Sequence, residues 1–100
     1  MTQARFVEAA RREILAEVTY YQEVQIELAT KFLESVEQAT ARALAYSMTG
    51  PPGAKGTRRV FLKDFPFALF YRPNDQGIIV IALAHHARRP GYWRDRTEGR

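Results

Sequence analysis

The segment GIIVIALAHHARR, residues 77–89, constrains this chain more than any other. Residues 78–84 are apolar without interruption, short for a helix and rich in the β-branched side chains that suit strands. A run with no polar residue on either face needs cover on both sides or a central place in a sheet. The preceding residues supply its neighbours. Residues 58–63 alternate partially, Asp64, Phe65 and Pro66 read as a tight reversal, residues 67–72 continue as a strand, and PNDQG at 73–77 reads as a second turn. Links this short force antiparallel pairing, so a three-stranded meander is expected.

The first half is helical by period. Val7, Ala10, Ile14, Val18 and Tyr21 recur at three- and four-residue steps, and Ala29, Phe32, Val36, Ala39 and Ala43 do the same. Arg11, Arg12, Glu13, Glu34 and Glu37 lie off these stripes, which makes both segments amphipathic. One helix through both would be about 60 Å long, several times the radius expected of a chain this size. The chain must fold back, and the turn is expected near residues 24–28, although no Gly or Pro marks it. Tyr20 and Tyr21 are expected to pack rather than react. Residues 3–7 suit a short strand with Phe6 inward. GPPGAKG at 50–56 reads as a linker; its spacing is wrong for a phosphate-binding loop and no Ser or Thr follows Lys55.

Charge divides the chain. Residues 1–50 hold five Lys/Arg against seven Glu, net −2, and residues 51–100 hold ten Lys/Arg against four Asp/Glu, net +6. Clustered cations attract phosphate backbones, so contact with nucleic acid or nucleoprotein is expected on the C-terminal half, through Arg58, Arg59, Arg88, Arg89 and Tyr92. The hundred residues contain no cysteine, which removes disulfides and thiolate zinc sites. His85 and His86 are adjacent on an extended segment and point to opposite faces, so neither a metal site nor any cofactor is expected. One histidine is expected beneath the helices and the other on the open face. Trp93 is expected to fill core, with Pro90 and Gly91 turning the chain before it. Residues 2–13 carry charges where a secretory signal needs an apolar stretch, and no run is long enough to span a membrane. One domain over residues 1–100, cytoplasmic and without membrane contact, is the expectation.

The order of these segments, and above all FPFALFYR and HHARRPGYW, resembles the RelE/ParE superfamily of toxins from type II toxin–antitoxin modules, nearer its ParE branch. The resemblance implies an α+β fold: a short first strand, a helical hairpin packed on a small, mainly antiparallel sheet, then the meander. It also implies a cognate antitoxin as partner, and Val24, Ile26, Leu28 and Phe70 are the expected contacts for its tail. The ParE branch is associated with poisoning DNA gyrase and the RelE branch with cutting messenger RNA on the ribosome. Laying the ribonuclease pattern on this chain matches Arg59, His86 and Tyr92 as catalytic residues. Phe61 and Ala68 stand where that pattern carries cations, so a non-enzymatic gyrase poison is the first expectation and a ribosome-dependent endoribonuclease the alternative. A non-toxic basic nucleic-acid-binding module is a third.

Overall fold

The structure, a computed structural model, describes residues 3–48, 56–89 and 91–96. The elements run β1 (Gln3–Phe6), α1 (Glu8–Val24), α2 (Ile26–Ala45), β2 (Arg58–Phe61), β3 (Phe67–Asn74) and β4 (Gly77–His85). The sheet order is β1-β4-β3-β2, with β1 parallel to β4 and the other pairs antiparallel. This is the α+β arrangement expected, and it makes β4 a central strand. Every residue from Ile78 to Ala84 is buried.

Both helical stripes face the sheet. Ala10 and Ile14 of α1 are buried, as are Ala29, Phe32, Val36, Ala39 and Ala43 of α2. The break between the helices is a single residue. Gln25 is extended (φ −167°, ψ 125°), a backbone any residue adopts, which explains why neither Gly nor Pro is needed there. Its N–H still reaches Tyr21 O at 2.9 Å, and Leu28 N–H donates to Gln25 O at 2.9 Å to start the next helix. The returning helix brings Phe32 against Tyr21, Phe65 and Phe67, with ring centroids 5.2–5.7 Å apart in this cluster. Tyr20, by contrast, is exposed and only edges onto Tyr21, because it sits one residue off the apolar stripe.

The turn between β3 and β4 is tighter than PNDQG suggested. The strand runs through Pro73 and Asn74, leaving Asp75 and Gln76 as the turn, and Asn74 Oδ1 accepts the Gln76 N–H at 2.9 Å. Gly77 follows at φ 141°, and a Cβ there would fall 2.0 Å from Gln3 O. Glycine therefore allows β1 to lie against β4. At the other end, β2 stops at Phe61, and Asp64 takes a positive φ of 70° in the reversal. Most of the 50–56 linker lies outside the described residues.

One irregularity organises the sheet. Phe70 pairs with Ala82 and Tyr71 with Val80, so Ile81 of β4 has no partner across β3. Such a bulge resets the alternation of side chains. Before it, Ile78 and Val80 lie beneath the helices with Tyr71, whose hydroxyl donates to Ser47 O at 3.1 Å. After it, Ala82 and Ala84 face the opposite side with Phe70 and Ala68. The uncovered face thereby receives its smallest side chains where the chemistry-bearing residues gather.

Candidate functional site

The opposite face of the sheet carries a cleft of about 310 Å³. Its floor is set by strand register. Phe61 of β2 pairs with Ala68 of β3, which pairs with Ala84 of β4, while Arg59 pairs with Phe70. Small side chains at 68 and 84 leave room between the larger ones. His85 ends β4, and the chain then turns, with His86 N–H on Pro66 O and Arg88 N–H on His85 O, both at 2.9 Å. That turn places His85, His86, Arg88 and Arg89 along the rim opposite Arg59. Trp93 closes the remaining side. It is buried, and its ring lies 4.4 Å from that of Phe70 at a 32° tilt.

The electrostatics of the cleft are one-sided. Among the described residues no carboxylate lines it, and none pairs with Arg59, Arg88 or Arg89. Two of these cations rest on aromatic faces instead: Arg59 lies 5.4 Å from the centre of Phe61 and Arg88 lies 3.8 Å from that of Tyr92. His86 meets the Phe61 ring edge-on at 5.5 Å. Guanidinium groups held this way keep their N–H donors available for an anion, and a phosphate suits their fork geometry. Phe61 is half-exposed and presents a flat apolar surface between them.

The structure brings Arg59, His86, Arg88 and Arg89 together. It separates Arg58, which pairs with Tyr71 and so faces the helix side. Phe70 belongs to the cleft floor rather than to a groove shared with Val24, Ile26 and Leu28, which lie at the helical turn beyond the other face. Val24 and Ile26 there are well exposed, and Leu28 borders a separate hollow with Phe65. Neither histidine is buried beneath the helices: His85 is exposed and meets Phe67 edge-on, with its Nδ1 accepting the Ala87 N–H at 2.9 Å.

Tyr92 contributes its ring to Arg88, but its hydroxyl turns away from the cleft. It donates to Glu13 Oε2 at 2.7 Å, with Leu83 O also within 3.1 Å. Burial, then the hydrogen bond and charge of Glu13, push the phenol far above the ordinary tyrosine range. Arg96 binds the same carboxylate through both terminal nitrogens, at 2.8 and 3.0 Å, and these contacts raise its pKa as well. Glu13 and Arg96 carry no signal in the sequence. They are 83 residues apart, and Glu13 resembles any other charge beside an apolar stripe. Among the described residues, no three His, Cys, Asp or Glu side chains cluster as metal ligands, and no helix is long and apolar enough to cross a membrane.

Comparison with known proteins agrees with this architecture. A chain from the structure described as "Chromosomal ParDE TA system from P. aeruginosa" superposes with a TM-score of 0.72 at 19% identity, over 85% of this chain and 96% of that one. At that identity the likeness concerns the fold. No curated protein matches the sequence. The sequence model of a family described as the ParE toxin of type II toxin-antitoxin system, parDE, matches residues 4–90. The chain belongs to the ParE toxin family.

Proposed function

We propose that this toxin arrests bacterial growth by acting on DNA gyrase in the cytoplasm, that it does so without catalysing RNA cleavage, and that a cognate antitoxin neutralises it. The observation that carries the reading is the composition of the cleft. Its rim is cationic, through Arg59, Arg88 and Arg89, while its floor at Phe61 and Ala68 is apolar where a ribonuclease of the superfamily is expected to hold cations. Each preorganised donor aimed at a transition-state charge is worth about 3 to 4 kcal/mol. A cleft lacking two of them is better suited to holding an anionic surface than to cleaving a phosphodiester. Tyr92 supports the same reading, since its hydroxyl is engaged by Glu13 and its proton is held tightly. The ribonuclease alternative keeps one support, the shared cleft of Arg59 and His86.

The antitoxin tail is proposed to cover the apolar tip of the helical hairpin, where Val24 and Ile26 stand exposed beside Leu28. Large exposed apolar side chains at one end of a small domain favour a partner of matching character. The deciding experiment incubates purified protein with gyrase and plasmid, and separately with translating ribosomes. Loss of supercoiling or trapped cleaved DNA, with messages intact, is expected. Codon-dependent cleavage of translated messages that disappears in His86→Ala would replace the gyrase reading by the ribonuclease one.

A further inference from the structure

We propose that Glu13 of α1, although outside the cleft, is the positioning residue that holds the toxin's binding surface in shape by clasping the C-terminal strap, residues 91–96, to the unpaired edge of β4. The need for such a clasp follows from the sheet. β1 pairs with β4 only from Gly77 to Val80, and beyond it the edge of β4 has no strand partner among the described residues. Open strand edges leave backbone groups unsatisfied and must be covered. Side chains cover this one. Glu13 Oε1 accepts the Leu83 N–H at 3.1 Å, Arg96 Nη1 donates to Ile81 O at 3.0 Å, and the Tyr92 hydroxyl lies 3.1 Å from Leu83 O.

The same carboxylate joins these covering groups to each other. It takes Tyr92 on Oε2 and both terminal nitrogens of Arg96, so one mostly buried anion binds the helix layer, the sheet edge and the strap. Two features of the cleft depend on where the strap lies. Trp93 forms its closing wall against Phe70, and the Tyr92 ring supports the Arg88 guanidinium. Releasing Glu13 therefore loosens a wall and a cation of the cleft without touching either. The Tyr92 hydroxyl acts here as a pin, not as a proton donor to substrate.

The proposal rests on the cleft being the toxic surface, yet its central claim can be measured without any target. Trp93 is the sole tryptophan of the chain and is only 4% exposed, so its fluorescence reports the strap alone. Hydrogen bonds to charged groups are strong enough that Glu13→Gln and Arg96→Met are each expected to shift the strap toward its open form by about tenfold or more. Acrylamide quenching of Trp93 should rise and its emission should move to the red, with far-ultraviolet circular dichroism unchanged. The double variant should cost less than the two single ones added together, because both remove the contact between Glu13 and Arg96.

Growth arrest on expression should weaken in the same order as Trp93 becomes quenchable, with Tyr92→Phe falling on the same line. Arg96→Met keeps Glu13 available to Leu83 and serves if Glu13→Gln fails to fold. Quenching that stays at the wild-type level in Arg96→Met would overturn the clasp. Abolished toxicity in Tyr92→Phe with Trp93 still buried would overturn the pin and make the phenol catalytic. Intact gyrase supercoiling with the wild-type protein would sink the target assignment but leave the quenching result standing.

Discussion

The two faces of the sheet are built from neighbouring residues of the same strands, yet they are covered by very different means. On one side, two helices bury Leu69, Tyr71, Ile78 and Val80 beneath an aromatic cluster centred on Phe32. On the other, a strap of six residues covers Phe70 with Trp93 and leaves Phe61, Ala68 and Ala84 as the floor of an open cleft. The helical side is held by packing spread over many contacts. The open side depends on one wedge and one carboxylate, so stability and binding chemistry are divided between the faces.

The largest effect should come from breaking the helical side. Phe32 is fully buried among three rings, and Phe32→Ala is expected to destabilise the protein by about 3 to 5 kcal/mol, near the whole stability of a small domain. Trp93→Ala belongs to the open side and should cost about 3 kcal/mol, because the strap can partly collapse onto Phe70. Urea denaturation of both variants ranks the faces. A Trp93→Ala loss exceeding that of Phe32→Ala would show that the strap, not the helices, anchors the fold.

Gly77→Ala tests the seam where β1 meets β4. An added Cβ would meet the Gln3 backbone at 2.0 Å, and the φ of 141° is one that alanine resists. The expected loss is about 2 kcal/mol or more, through displacement of β1. Hydrogen exchange should then rise first at residues 3–7. Unchanged protection there would mean that β1 contributes little to the stability of the central strand.

Much of the helical side was legible in the sequence, and little of the open side was. Apolar periodicity marked both helices and the continuous run marked β4, because burial on a regular element repeats at fixed spacing. A reversal was required by helix length alone and expected near residues 24–28, and the break at Gln25 falls there, although no glycine or proline marks which residue makes it. The bulge at Ile81 was not legible: it replaces no residue type and depends on how β3 and β4 match in register. That bulge decides which β4 side chains join Ala68 and Phe70 in the cleft, so the make-up of its floor was hidden from the chain alone. The pairing of Glu13 with Tyr92 and Arg96 was equally hidden. A hydrogen bond and an ion pair across more than 75 residues leave no periodic trace.

Removing charge from the rim should scarcely alter stability and should strongly alter activity. Arg88→Ala with Arg89→Ala removes side chains that are exposed and have no ion-pair partner among the described residues, so the expected change in stability is within about 0.5 kcal/mol. Growth arrest should be lost or sharply weakened. If folding and toxicity fall together, the arginines are structural and the contrast between the faces fails at its most informative point.

The last effect is read across pH and concerns the phenol of Tyr92. Its pKa is raised in the folded protein, first by burial and then by Glu13, against the lowering influence of Arg96 and Arg88. A raised pKa means that the neutral hydroxyl stabilises the fold fully below the unfolded value of about 10 and that this contribution disappears as pH climbs beyond it. Tyr21 and Tyr71 shift in the same direction, chiefly through burial beneath the helices, so both faces should lose stability in alkali. Tyr92→Phe separates them. Its urea midpoint should fall below that of the wild type at pH 7 and converge with it above about pH 10, where the wild-type contribution is also being lost. A gap that persists unchanged into alkali would show that the phenol does not act through its proton, which both Glu13 Oε2 and Leu83 O need as acceptors, and would overturn the pin.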